Sequence, residues 1–284
     1  MKRANNLRAL AMTANEMSGQ RQLGTILLCL GCSTVIVGTL ALSAIGQVPV
    51  WIAGVANYFA IYSMYTALHE AVHGNIGGTA NGDSFVDRLI GRVAGFFTLV
   101  PFSAHKTIHL DHHKYTNDPA RDPDHYIKGK NFLDILLRCM TITVSYVFHA
   151  RRNWDQPRMR SAFWWSVWAF VQTAIILTAL GLIFGWQLPV IGYLIPAMIA
   201  TPTLGFLFDW IVHKPHEDPA RFRNTTVFEG NVNWLDRLYT WATLQQSYHG
   251  IHHAFPRIPF NKYRTFFKSH RMELMDSGLP VKRF

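Results

Sequence analysis

Two stretches of the chain, residues 22 to 69 and 161 to 208, contain no Lys, Arg, Asp or Glu, and each is 48 residues long. Charged residues make up 15% of the sequence, so gaps of this length do not fit the surface of a soluble domain. A helix that crosses a membrane takes roughly 20 apolar residues. Each gap therefore predicts two helices and a short turn, with the turns near Gly46 to Pro49 and Gly185 to Pro189. The pattern predicts an all-α integral membrane protein with transmembrane helices at about 24–46, 50–68, 162–185 and 189–212, paired as two hairpins.

The remaining sequence is polar and predicts a helical cap formed by residues 69–160 and 213–284, within a single domain spanning 1–284. Leu89 to Pro101 is apolar but short and carries Arg92, which predicts a re-entrant or interfacial segment. Phe132 to Phe148 contains Asp134 and Arg138 and predicts an amphipathic helix on the membrane surface over about 132–149. If this segment spanned, Arg151, Arg152, Arg158 and Arg160 would be carried to the opposite side. The apolar run from Leu23 to Ile45 follows Lys2, Arg3, Arg8 and Arg21. It exceeds the roughly 7–15 residue core of a cleaved signal peptide, so it reads as a retained signal anchor.

Charge supplies the orientation. Of the 27 Lys and Arg residues, 4 precede residue 22, 12 lie between 69 and 160, and 11 follow residue 212. Neither turn carries one. Cytoplasmic loops are enriched in Lys and Arg, so the hairpin tips are expected outside and the cap in the cytoplasm, with the inner membrane as the site if the host is bacterial. Trp51 and Trp186 fall near the outer ends, and Trp164, Trp165 and Trp210 near the inner ends. The net charge of +10 accompanies no nucleic-acid-binding motif, so it reads as contact with anionic lipid headgroups and an acidic protein partner. Cys29 and Cys32 form a C-x-x-C within the first helix, and Cys139 is the only other cysteine. Small-residue packing explains that pair better than a metal site or disulfide.

Eight of the fourteen histidines fall into three clusters: His69 and His73 in HEAVH, His109, His112 and His113 in HLDHH, and His249, His252 and His253 in HGIHH. Residues three and four apart share a helix face, so each cluster aims its imidazoles at one point. His213 and His216 in HKPH offer one more ligand, with His216 favoured. His105, one turn before His109, is a further candidate, expected to be an outer hydrogen-bonding or structural residue. Neutral imidazoles suit zinc, copper, iron and nickel, but eight to ten of them exceed what one tetrahedral zinc accepts. Two metals sharing the set follow, and a pair of irons that binds and reduces dioxygen fits a set so poor in carboxylate. Glu70, Asp111, Asp118, Asp122 and Asp124 are candidates to accept the second ring N–H, or solvated turn residues.

Two other function classes meet parts of this pattern. HEAVH matches the H-E-x-x-H of zinc proteases, with Glu70 as general base, but that leaves both H-x-x-H-H boxes unexplained. A histidine-lined metal transporter would place its ligands near the midplane, whereas these clusters adjoin charged cap sequence.

Taken together, HEAVHGN, HLDHHKYTNDPARDPDHY, HKPH followed by RFRNTTVF, and QSYHGIHHAFPRIPFNKY resemble the membrane-bound fatty acid desaturase and hydroxylase superfamily from about residue 60 to 265. The NDP-x-x-DPDH stretch, the HxPH with RNT, and the final HHxxPxIPxxKY are most similar to its β-carotene ring hydroxylase branch. The resemblance implies a cytoplasmic di-iron centre above a helical stalk that encloses an apolar tunnel. It carries ligand roles onto His69, His73, His109, His112, His113, His249, His252 and His253, with His213 or His216 as the extra ligand. The implied reaction is O2-dependent hydroxylation or desaturation of an unactivated C–H bond at two ferrous ions. The implied substrate is a hydrophobic lipid, foremost a carotenoid or a fatty acyl chain. Three cysteines are too few for a four-thiolate iron–sulfur cluster, and the chain carries neither a dinucleotide fingerprint nor a heme attachment motif. Electrons are therefore expected from an external donor, such as a ferredoxin-like carrier docked on the basic face. The first box has three intervening residues, and no cytochrome b5-like domain is fused to the chain, both unlike the animal acyl-CoA branch.

The charge asymmetry predicts that tags inserted after Ile45 and after Gly185 react with an impermeant reagent added outside intact cells. A tag at the C-terminus should stay protected, and protection of either turn would overturn the hairpin orientation.

Overall fold

The computed structural model of the chain describes residues 2–79 and 82–284, with side chains described from residue 7; those of Lys2 and Arg3, in the flank of the expected signal anchor, lie outside the described residues. The order is α1 Lys2–Met17, α2 Leu23–Ala44, α3 Val50–His73, α4 Phe85–Phe97, α5 Phe102–Tyr115, α6 Phe132–Arg152 and α7 Pro157–Phe184. A long helical run, α8, follows at Gln187–His213. Short elements complete the chain: β1 Val227–Glu229, α9 Asn233–Ala242, α10 His249–Ala254, α11 Tyr263–Ser269, α12 Arg271–Asp276 and β2 Val281–Arg283. The two strands pair in parallel, with Val227 opposite Val281, which adds a small sheet to an otherwise helical fold.

Helix ends follow local chemistry. α3 stops at Gly74, whose left-handed φ of 66° ends the helix without a Cβ penalty. α4 starts on a capping box in which Ser84 and Asp87 each accept the other's backbone N–H. Asp87 Oδ1 also accepts the backbone N–H of Ile76 at 2.8 Å and of Gly77 at 3.2 Å, which ties the exit of α3 to α4. α7 opens with Pro157 in its first turn and closes at Gly185.

α3 is the centre of the molecule, packed by α2, α4 and α8, and nearly every residue from Ala60 to His73 is buried. Asn57 fixes the three-helix seam: it donates to Gly192 O at 2.8 Å and accepts from Thr39 at 2.9 Å. The outer faces of α2 and α7 leave Leu23, Leu27, Leu30, Ile175, Leu182 and Ile183 exposed, as a lipid-facing surface requires. On α9, Trp234, Leu238 and Trp241 are exposed on one face, while Tyr62 of α3 donates to Ala242 O at 3.0 Å.

Among the described residues, four helices are long and apolar enough to cross a membrane: α2, α6, α7 and α8. That set differs from the expected one, since α6 belongs to it and α3 does not. α3 carries Asn57, Tyr58, Tyr62, Tyr65 and Thr66, polar groups that lower its hydropathy, of which Asn57, Tyr58 and Tyr62 bond neighbouring segments. In α6 the charges are satisfied locally, Arg138 bonding Asp134 at 2.7 Å and Tyr126 O at 2.9 Å. Its exposed stripe of Leu133, Leu137, Met140, Val144 and Phe148 is left apolar.

Close approach at the seam generates a stability prediction. A Cβ at Gly54 would lie 2.6 Å from Ile191 O, whereas at Gly38 it meets nothing within 4 Å. Gly54→Ala should lower the melting temperature in detergent through a loss of about 1–3 kcal/mol. Gly38→Ala should be neutral or raise it, because alanine is the better helix residue by roughly 0.5–1 kcal/mol.

Candidate metal centre

The histidines arrive from four directions. α3 delivers His69 and His73 one turn apart at its C-terminal end; α5 delivers His105, His109, His112 and His113 on one face; α8 ends at His213; α10 delivers His249, His252 and His253. The donor atoms of His69, His73, His109, His113 and His252 all lie within 4.8 Å of one another. A second group within the same limit is His112, His213 and His253. His249 joins it, its Nε2 lying 3.1 Å from His253 Nε2.

Within these groups ring nitrogens face one another directly. His73 and His109 Nε2 are 3.0 Å apart, His109 and His113 3.1 Å, His113 and His252 2.8 Å, and His112 and His253 3.3 Å. The opposite nitrogens meet fixed acceptors, which assign the proton to Nδ1. His112 Nδ1 donates to Asp122 Oδ1 at 2.9 Å, His213 Nδ1 to Asn224 O at 3.1 Å, and His249 Nδ1 to Gln246 Oε1 at 2.6 Å. His252 Nδ1 donates to the Tyr263 hydroxyl at 2.9 Å, which in turn donates to Glu70 Oε1 at 3.3 Å. The inward Nε2 atoms of these four rings are then lone pairs, turned into a buried space among the other imidazoles. That arrangement is repulsive unless a cation occupies it, so the donor set fits divalent metal, and nine imidazoles exceed what one tetrahedral ion accepts.

Electrostatics agrees for most members. Burial first, and the neighbouring imidazoles second, hold His73, His109, His113, His249, His252 and His253 well below the usual histidine range. These rings stay neutral, as ligation requires. His112 differs. Burial pushes it down, but the carboxylates of Asp122 and Asp124 outweigh that and raise it to about 10. Those carboxylates lie on the Nδ1 side, so in ligation they would hold the Nδ1 proton while Nε2 remains a donor to metal.

Several expected residues are placed apart. His216, favoured as the extra ligand, follows a turn in which it adopts a φ of 61°, and its ring lies 6.3 Å from that of His213, outside both groups. The chain thus brings in His213, one turn earlier on α8, and directs His216 toward His125, whose ring is 6.5 Å away. His105 stacks on His109 at 5.3 Å but belongs to neither group. Among the acidic candidates, Asp122, Asp124 and Glu70 adjoin histidines. Asp111 is instead held bidentately by Arg158 of α7 at 2.6 and 3.1 Å, and Asp118 binds exposed Arg121. Glu70 is fully buried and accepts from Phe260 N at 3.1 Å and Asn75 at 3.3 Å as well as Tyr263, which leaves it no access to a hydrolytic water. Gln246, Asn224, Tyr263 and Thr116, whose hydroxyl lies 3.4 Å from His253 Nδ1, are not metal-ligand residue types, although all four lie inside the quoted motifs.

A cavity of about 60 Å³ opens against this site, lined by His69, His105, His109, His112 and His249 on one side and Ile61, Ile142, Leu204 and Phe208 on the other. A neighbouring void shares Val100, His105, Thr143 and Tyr146 with it and runs toward Ser166 and Phe170 of α7.

Comparison with known proteins adds an independent finding. A family model described as fatty acid desaturase matches residues 45–284. The chain is also similar to a plant protein, "Sphingolipid delta(4)-desaturase DES1-like" from Arabidopsis thaliana, at 26% identity over 217 residues. The match covers 72% of this chain and 58% of that relative, so the chain spans little more than half the relative's length.

Two predictions follow from the site. Asp122→Asn should weaken metal retention by about 10–100-fold, the range for partners of ligating histidines, while Asp118→Asn should leave it unchanged in a chelator competition. In the metal-stripped protein six imidazoles are held neutral when folded, so the unfolded chain takes up protons that the folded one refuses. Stability should therefore fall as pH drops below about 6.5, whereas His112, raised to about 10, adds stability that is fully present below about 6.5 and is lost only as pH rises toward 10. A melting temperature that rose between pH 7 and 5 would contradict this.

Proposed function

The chain belongs to the fatty acid desaturase family, and on that premise we propose that it hydroxylates or desaturates an unactivated C–H bond of a lipid, using O2 at a histidine-bound pair of irons. The observation that carries this reading is the convergence of nine inward imidazoles in two adjoining groups beside an apolar cavity. In it, His69, His73, His109, His113 and His252 hold one ion, and His112, His213, His249 and His253 hold the other. His216 and His105 stand outside the ligand set. When bound, the ferrous pair supplies dioxygen binding and reduction, and with it the oxidising power to break a C–H bond.

The chain's own residues do the rest. Asp122, Gln246, Asn224 and Tyr263 hold the ring protons at Nδ1 and orient the imidazoles. Ile61, Ile142, Leu204 and Phe208 line the cavity, position the chain to be oxidised and exclude water beside His109 and His249. The family match and the sphingolipid-desaturase relative favour an acyl-bearing lipid over the carotenoid suggested by the sequence motifs. The cap carries 23 of the 27 Lys and Arg of a chain whose net charge is +10, which suits an acidic electron carrier of the ferredoxin type. In this reading α2–α3 and α7–α8 are two membrane hairpins, α6 lies in the interface, and the metal centre faces the cytoplasm. The buried, fully engaged Glu70 argues against a protease, and the gathering of the ligands into two adjoining groups at one place argues against a transport path.

The purified protein, loaded under reducing conditions, should bind about two irons per chain. His113→Ala or His253→Ala should lose at least one of them along with activity, whereas His270→Ala should retain both. Mass spectrometry of lipids from expressing and control cells should show gain of one oxygen or loss of two hydrogens. Stoichiometry near one, or a dominant copper or zinc content, would refute the proposal.

A further inference from the structure

The cavity beside the histidine groups has two polar side chains on its wall that stand outside the proposed ligand set, Asp209, which lies with Asp124 and His112 in a third group of donor atoms within 4.8 Å of one another, and His105. Asp209 is the first charged residue after the 48-residue gap and lies on the π-helical stretch Gly205–Trp210 of α8. Such stretches re-aim a side chain and recur at functional sites. Asp209 Oδ1 is 3.9 Å from His213 Nε2, too far for a hydrogen bond. Its Oδ2 is closed off from solvent and has no partner. His105 is an independent second observation: it is 4% exposed, and both of its ring nitrogens lack partners. Asp124, which accepts from the Tyr146 hydroxyl at 2.6 Å, lines the same cavity as Asp209, His105 and Tyr146.

A carboxylate oxygen held away from water is strongly unfavourable unless a donor meets it, and charged residues at the edge of a membrane span mark substrate contacts by default. We propose that the substrate is a lipid carrying a hydroxyl or amide N–H, and that Asp209 accepts a hydrogen bond from that group while His105 offers it a donor. This pairing sets a nearby C–H against the histidine groups, because Asp209 is one helical turn from His213. The inference rests on the lipid-oxidising reading above and narrows it. A pure hydrocarbon such as a carotene would fill the cavity and leave Asp209 and His105 unmet, so the site selects against it.

The test compares octadecan-1-ol with methyl octadecyl ether, probes that differ in a single donor, by equilibrium binding to the purified iron-loaded protein in detergent. The wild type should bind the alcohol at least about fivefold more tightly, as one hydrogen bond to a buried carboxyl oxygen predicts, and Asp209→Leu should reduce the preference to within about twofold. Iron content of the variant reports whether the site is intact. Should Asp209→Leu fail to fold, Asp209→Ala, which removes the acceptor with a smaller change of volume, should likewise bring the preference to within about twofold. Equal binding of the two probes by the wild type, or an undiminished preference in the variant, overturns the inference. Oxidation of either probe without donor preference removes the inference and leaves the oxygenase reading standing. Donor preference in a protein that holds no iron and oxidises neither probe removes that reading and leaves the binding site.

Discussion

Nine imidazole nitrogens are turned toward one another in a space closed to water, and this one electrostatic demand shapes the surrounding structure. Facing lone pairs are tolerated only if each ring carries its proton on the far side and a cation is available on the near side. The far side is where the fold is most carefully built. Asp122, Gln246, Asn224 and the Tyr263–Glu70 pair each sit behind a different ring, and they come from segments separated by as many as 193 positions in sequence. The loops after α5 and α8, and the turn into α10, are therefore determined as much by the hydrogen bonds they supply as by the connections they make.

The same demand explains why α3 differs from the other long helices. Over 60–73, α3 ends in two inward histidines and faces protein on nearly every side, while Trp51, Val55 and Phe59 near its start are exposed. It can carry Asn57, Tyr62 and Thr66 that lipid would not accommodate. α2 and α7, with their outer faces exposed, show the opposite composition. Apolarity thus reports contact with lipid, and the helix most central to the site is the one it underestimates.

α8 links the membrane segment to the site in a different way. Its π-helical stretches, Val190–Leu194 and Gly205–Trp210, lie on either side of Pro196 and Pro202. An added residue per turn rotates everything downstream, so the register of Asp209 and His213 is set by the bulge and not by a 3.6-residue count. Together with the turn that follows, it brings His213 to the group of His112 and His253 and leaves His216 outside.

The residue order alone determined the class of protein: a helical membrane protein with three histidine boxes and the desaturase-type motifs around them. Those features are local. An uncharged gap, an i, i+3, i+4 spacing and a motif such as DPARDPDH are written in consecutive residues and survive any later packing. Tertiary structure decided what depends on which surfaces meet. It set His213 rather than His216 beside His112, held Asp111 to Arg158 rather than to a histidine, buried α3, and left Asp209 and His105 facing one cavity. No local rule foretells these, because the orientation of a side chain beyond its own helix is settled by long-range packing and by a π-bulge whose rotation a regular helical period does not contain.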